Sequence, residues 1–420
     1  MLLRPRNALA WNSIVSTPPV AIRSRAPRTL HTLRGDELQS SRRFLLRLPS
    51  KRVTTSQPYH GFQNLSHGDG TRLLSMSAIP AALLPPLAFV GLALTLWFYK
   101  CCMMVVFQNK IIYMPSIPPF SRGEKIEDYE RACRPVSWEE KRIRSLDGTQ
   151  LALAVGKLSH RTESGIDGQS GVEGEVRKHV VILYFQGNAS SLPPRLPLLS
   201  EPLKALHGSG THTDFTIIAL SYRGYWTSRG RASQKGIELD ALAALRWVQE
   251  TYALNDPAHT RLVIWGQSIG AGVATGVLMQ NISSISTTAS SSPQRPVKVH
   301  GAILETPFVN TRRMLDALYP QKWLPYRYLW PFLRSWWDSE AALRAVAETR
   351  PGKELPILII SAAKDEIVPA EQANYLEKLA VQLGLDVSRR DVSGALHTEA
   401  TSRAEGRGAV VEFLRKIADE

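Results

Sequence analysis

The residues "RLVIWGQSIGAGVATGVLMQ" (261–280) constrain the fold more than any other stretch of this chain. An apolar run enters Gly266-Gln267-Ser268-Ile269-Gly270, and an Ala/Val-rich segment leaves it. Such a run reads as a strand buried on both faces, and the segment after Ser268 as a buried helix. A sharp strand-to-helix turn must join them, with glycines where a side chain would strike neighbouring strands. A Gly-x-Ser-x-Gly match arises by chance in roughly one chain of this length in seven, so the flanks carry the reading and the pattern alone does not. A dinucleotide fingerprint fails because Gly270-Ala271-Gly272-Val273-Ala274-Thr275 lacks the third glycine. A Walker loop fails because no Gly-Lys-Ser/Thr follows. Two readings stay open at this point: Ser268 is a nucleophile on the turn, or the turn is a plain Gly-rich bend.

Strands and helices alternate through the region around it. "VSWEEKRIRSLDGTQLALAVGKL" (136–158) predicts a hairpin turning at Asp147-Gly148. Strands are expected at "HVVILYF", "FTIIALS", "VHGAILETP", "LPILIIS" and "DVSRRDV". A helix over 236–251 would bury Ile237, Leu239, Leu242, Leu245 and Trp247, and a last helix runs from Gly406 to Ala418. The stretches 159–178 and 281–296 are polar, Gly- or Ser-rich loops. This alternation implies an α/β fold with a mostly parallel sheet covered on both faces.

A nucleophilic serine needs a base, an acid to orient that base, and donors for an oxyanion. His397, in "SGALHTEA", follows the last strand on the C-terminal side of the sheet, where ligands bind in open α/β folds. His300 precedes its strand and falls at the opposite end, as an expected surface residue. Asp365, in "SAAKDEIVP", directly follows a strand and fits the acid, with Glu366 and Glu305 as competitors; a helix-capping role for Asp365 is the alternative. The bend at Gly187 in "YFQGNAS" turns the N–H of Asn188 or Ala189 toward the site, to join that of Ile269 as an oxyanion hole. Four separate strand–loop contexts agree, which favours Ser268 as nucleophile over the plain bend. Such chemistry needs no metal or organic cofactor.

The N-terminal part has a different character. Residues 1–75 carry 12 Lys/Arg against 3 Asp/Glu, and the remaining 345 carry 39 against 34. The formal charge of +14 is therefore mainly a property of the tail, which argues against nucleic acid as a partner of the main domain. The tail reads as a mitochondrial targeting peptide or a disordered arm, or translation starts at Met76. Ala78–Tyr99 is uncharged and long enough, at about 33 Å as a helix, to cross a bilayer, with Trp97, Tyr99 and Lys100 as interfacial anchors. One membrane span is the expectation, placing the chain in an endomembrane such as the endoplasmic reticulum, or in mitochondria. The full basic tail would hold the N-terminus in the cytosol and send the main domain to the lumen, whereas a start at Met76 favours a cytosolic domain. Cys101 and Cys102 beside the span are open to S-acylation or are buried thiols, and with Cys133 they form neither a disulfide framework nor a zinc pattern. Asn281-Ile282-Ser283 is a glycosylation sequon.

Taken together, "NKIIYMPSIPP", "YFQGNAS", "SYRGYWTSRGRASQKGIELDALAALRWV", "IWGQSIGAG", "AAKDEIVP" and "GALHTE" resemble the membrane-anchored α/β-hydrolase-domain proteins of the Bem (bud emergence) type. These stretches run in order across residues 108–398. The resemblance implies an α/β-hydrolase domain over 108–420 behind the anchor, and a catalytic triad of Ser268, Asp365 and His397. It also implies an ester or thioester substrate of the lipid or acyl-protein class. Two positions depart from the family pattern: Gln186 replaces a histidine, and Trp226 replaces a glycine after Arg223-Gly224-Tyr225, where a bulky ring would narrow the site. A non-catalytic membrane adaptor, or an amidase or peptidase on the same scaffold, is the alternative. The segment 306–340 lies where such hydrolases insert a cap and holds Trp323, Trp330, Trp336 and Trp337 with Tyr319, Tyr326 and Tyr328. Those rings suit a membrane interface, an acyl-chain pocket or plain packing.

Overall fold

One sheet of eight strands organises the chain: β1 (Val136–Arg144), β2 (Gln150–Leu158), β3 (Lys178–Phe185), β4 (Thr213–Ser221), β5 (Thr260–Gln267), β6 (Gly301–Glu305), β7 (Ile357–Ala362) and β8 (Val387–Val392). Their order is β1-β2-β4-β3-β5-β6-β7-β8. The β1–β2 and β2–β4 pairs are antiparallel and all others parallel. The computed structural model describes residues 80–158, 178–207, 213–253, 256–287, 298–349 and 353–419. The basic segment 1–75 and most of the loop expected at 159–178 lie outside these residues. The chain divides into two units, Met1–Ala88 and Phe89–Glu420.

The apolar strand runs are explained by burial on both faces. Val181, Leu183 and Phe185 of β3 enter one core with Leu262 and Ile264 of β5. The alternate residues Val180, Ile182, Tyr184, Val263 and Trp265 enter a second core on the other face. Period-two alternation sends successive side chains to opposite faces, so both sets must be apolar. The first core is covered by α5 (Gln234–Val248), α6 (Ile269–Thr287), α7 (Thr311–Leu318, through Met314), α8 (Ser339–Ala347) and α9 (Ala370–Gln382). The second is covered by α4 (Leu196–His207) and α10 (Ala404–Asp419).

Several elements differ in detail from the sequence expectations. In α5, Leu239 and Leu242 are only half-buried, while Ala241, Ala244 and Val248 carry the inner face. Small residues win there because Asp240 is also fully buried, held by Arg223 through Nη2–Oδ1 at 2.7 Å. Helix α6 runs on to Thr287, past the start of the expected loop at 281. Asn281 is therefore buried in a helix, a poor glycan acceptor in the folded domain. A helical turn at Ala81–Leu83 leads into α1 (Leu84–Val106), which ends seven residues after Tyr99; Ala78 and Ile79 of the expected span lie outside the described residues. Lys100 ends an apolar run, but Cys101-Cys102-Met103-Met104 continue a helix without hindrance. A short helix, α2 (Gln108–Tyr113), follows, then a one-turn α3 (Glu130–Cys133). Among the described residues, Ala81–Val106 is the one helical stretch long and apolar enough to cross a membrane.

Candidate active site

Parallel pairing in register brings four loops to one edge of the sheet. Gln267 lies beside Glu305, and Glu305 beside Ile360; Phe185 lies beside Gly266. The loops starting at Gln186, Ser268, Thr306 and Ala363 thus leave the sheet together, at the C-terminal ends of the central strands.

Ser268 occupies the turn between β5 and α6 with φ +54°, the left-handed region that a non-glycine residue enters only at a cost. The flanking glycines permit this turn by close approach. A Cβ on Gly266 would lie 2.1 Å from the Gly270 carbonyl oxygen, and one on Gly270 would lie 2.1 Å from that of Phe185. The Ser268 N–H donates to the Glu305 carbonyl at 2.8 Å, tying the turn to β6. Its Oγ is 2.9 Å from His397 Nε2. His397 is buried, and its Nδ1 lies 2.8 Å from Asp365 Oδ2 and 3.0 Å from Oδ1. Asp365 Oδ1 also accepts from the Ile367 and Val368 N–H groups at 2.9 and 2.7 Å, which fixes the carboxylate in its loop. The three side chains form one hydrogen-bonded line.

The competitors fall elsewhere. Glu366 accepts from the His397 backbone N–H at 2.9 Å and so holds the loop, not the ring. Glu305 is fully buried and accepts from Trp265 Nε1, Gln267 Nε2 and Thr401 Oγ1 at 3.0, 3.1 and 2.8 Å. Burial pushes its carboxyl above the usual range, against those three donors and nearby His397. His300 lies at the far end of β6, as expected, and is half-buried: its Nδ1 accepts from the Leu262 N–H at 3.0 Å. Burial, with Arg261 and Lys298 nearby, lowers it to about 4.

The loop after β3 crosses beside the serine, since a Cβ on Gly187 would approach Ser268 Cβ to 3.6 Å. Of the two expected donors there, the Ala189 N–H is committed to the Tyr113 carbonyl at 3.0 Å, leaving Asn188 with Ile269. Residues outside the expected site hold this loop. Arg195, at the start of α4, donates to Gln267 Oε1 at 2.6 Å and to the Asn188 and Ala189 carbonyls at 3.3 and 3.4 Å. Helix α2 and the loop after it supply the other support: the Ile112 carbonyl accepts from Asn188 Nδ2 at 3.4 Å, and beyond the helix the Ile117 carbonyl accepts from the Ser190 N–H at 2.5 Å. Tyr113 is buried, donor or acceptor with Ser335 Oγ at 2.9 Å, and accepts from Trp337 Nε1 at 3.0 Å. Its hydroxyl, pushed up to about 12 by burial, stays neutral. Arg195 carried a faint signal, a lone cation amid "LPPRLP"; nothing about Gln267 or Tyr113 alone announced a supporting role.

With this geometry in place, the relatives become informative. No family model matches the chain. Protein bem46 of Schizosaccharomyces pombe is 30% identical over 191 residues, covering 46% of this chain and 53% of that protein. The α/β-hydrolase-domain protein WAV2 of Arabidopsis thaliana is 28% identical over 275 residues, covering 64% and 73%. The chain is thus similar to α/β-hydrolase-domain proteins of the Bem type. The lysophosphatidylserine lipase ABHD12 of Danio rerio is 31% identical to this chain over 209 residues, covering 49% of the chain and 48% of the lipase. The chain thus spans about half the length of two of these three relatives and more of the third. An α/β hydrolase from Vibrio vulnificus is similar in structure at TM-score 0.49 and 18% identity, over 74% of this chain and 92% of that one.

The two departures from the family pattern settle into packing. Trp226 takes φ +39°, a backbone suited to glycine, and its ring is buried in the second core, donating Nε1–H to the Glu124 carbonyl at 2.8 Å. Gln186 is fully buried, and neither amide atom has a hydrogen-bond partner among the described residues. Neither side chain bonds to Ser268, His397 or Asp365. Cys101 and Cys102 are half-buried free thiols and Cys133 a buried one.

Proposed function

We propose that this chain is a membrane-anchored serine hydrolase that cleaves a carboxylic ester or thioester, of the lipid or acyl-protein class, through an acyl-enzyme. The observation that carries this reading is the line from Ser268 Oγ through the His397 ring to the Asp365 carboxylate. Ser268 Oγ attacks the substrate carbonyl carbon while His397 Nε2 takes its proton. Asp365 orients the ring and stabilises the imidazolium that forms. The N–H groups of Ile269 and Asn188 donate to the oxyanion. Collapse breaks the carbon–oxygen or carbon–sulfur bond, and His397 returns its proton to the leaving alcohol or thiol. Water, deprotonated by His397, then attacks the acyl-serine and releases the acid. The lipase name of the zebrafish relative and the exposed apolar helix α1 both support a lipidic or lipidated substrate. The adaptor alternative rested on Gln186 and Trp226, whose side chains are spent in the core.

The test is turnover of a panel of acyl esters and acyl thioesters of graded chain length by the full chain in detergent. Hydrolysis that Ser268→Ala abolishes supports the reading. A folded wild type that hydrolyses none of them, while an amide is cleaved or nothing is, would turn it toward the amidase or the adaptor.

A further inference from the structure

We infer that the cap between Val309 and Ser339 is a bilayer-contact surface, seated in the headgroup layer of the membrane that holds α1. The inference rests on reading α1 as the anchor.

Four contacts run the cap alongside the last turns of α1. The rings of Trp97 and Trp323 lie 5.8 Å apart, and Lys100 Nζ sits 4.6 Å from the Tyr326 ring centroid. Gln108 Nε2 donates to the Phe332 carbonyl at 3.0 Å. Arg334 Nη2 donates to the Val105 and Val106 carbonyls at 2.6 and 2.9 Å, satisfying acceptors that the end of α1 leaves free. Residues 323–334 therefore track residues 97–108 in the same direction.

That register sets a depth. A hydrocarbon core of about 30 Å takes roughly 20 helical residues, and counting from Ala81, where the helical stretch starts, these end at Lys100. Trp97, Tyr99 and Lys100 then occupy the interface, where amphipathic rings and snorkelling lysines are stable. Trp323 is held at the level of Trp97, about 14 Å up the helix from Val106. A soluble protein could not reach this level without entering the bilayer. The exposed side chains match the setting: Trp323 is 66% exposed, Phe332 60% and Tyr328 54%. Residues 306–338 also carry five Lys/Arg against two Asp, a surplus suited to lipid phosphates.

The same register brings the candidate site close to lipid. Helix α2 is six residues, about 9 Å, and its end already carries the loop of Asn188. An acyl chain need only partly leave the bilayer to present its carbonyl to Ser268.

The experiment uses the full chain in phosphatidylcholine/phosphatidylserine vesicles, comparing wild type, Trp323→Ser/Phe332→Ser and Trp323→Phe. Tryptophan quenching by lipids brominated near the headgroup is read first. Hydrolysis of a short soluble ester and of a long-chain ester embedded in the vesicles is read second. The inference expects less quenching in both variants than in wild type. It also expects about a tenfold loss by the double variant on the embedded ester, with the soluble ester changed no more than about twofold. Quenching that ignores both substitutions, or equal losses on the two esters, would overturn it. A wild type inactive on both esters would defeat the proposed function while quenching still decides the surface. Trp323→Phe keeps a ring in place and guards against a folding defect.

Discussion

Gly270 offers a sharp test of how the turn works, because a single methyl group there has a defined collision. In Gly270→Ala the new Cβ would lie 2.1 Å from the Phe185 carbonyl oxygen and 2.7 Å from that of Gln186. Both obstacles are backbone, so no side chain can swing aside. Restoring even a 3.0 Å contact requires the first turn of α6 to move 0.9 Å from the end of β3. Overpacking of this kind costs about 1–3 kcal/mol. The displacement separates the Ser268 turn from the loop that carries Asn188, and a misplacement of about 1 Å costs on the order of 10²-fold in rate. Gly276→Ala is the control: it lies in the same helix, and its Cβ meets nothing within 4 Å. That variant should gain about 0.5–1 kcal/mol from helix propensity. The assay is the second-order rate of labelling by a fluorophosphonate, alongside the urea unfolding midpoint. Gly270→Ala labelled at the wild-type rate with an unchanged midpoint would refute the reasoning, as would equal losses in both variants.

Arg195→Ala should lower kcat by about 10–10²-fold with a smaller change in KM, since the residue positions the loop and Gln267; Arg195→Lys should recover part of the loss in steady-state kinetics. Gln186→Leu removes a buried amide that has no partner among the described residues, so it should unfold at the same or higher urea, by up to about 2 kcal/mol. His300 is depressed to about 4 by burial, below its ordinary 6.5. Its contribution is complete above pH 6.5 and is lost as pH falls from 6.5 toward 4. The stability difference between wild type and His300→Asn should be flat above that window and fall within it by on the order of 1–2 kcal/mol in urea titrations.

The parallel sheet and the Ser268–Asp365–His397 line were legible in the sequence because each depends on local pattern. Buried strands write continuous apolar runs, and catalytic side chains follow strand ends in a fixed order. What escaped depends on chain-distant backbone. The support from Tyr113 and Ile117 runs through their carbonyls, which any residue would supply, so identity leaves no trace. Glu305 read as a rival acid, since nothing local reveals that Trp265, Gln267 and Thr401 consume its oxygens. Trp226 read as an obstruction because its ring was placed by analogy with glycine, whereas packing turns it into the second core. Helix α1 runs on past the uncharged segment that ends at Tyr99, as a charge closes an apolar run but not a helix.

In the proposed mechanism Ser268 carries the acyl group. The most direct measurement is intact-mass and peptide-mapping analysis of the full chain quenched during turnover of a slowly deacylated activated ester. The account predicts a mass increase equal to the acyl group, confined to the peptide containing Ser268 and absent from Ser268→Ala. An adduct on another residue, or turnover of the ester unchanged in Ser268→Ala, would contradict it.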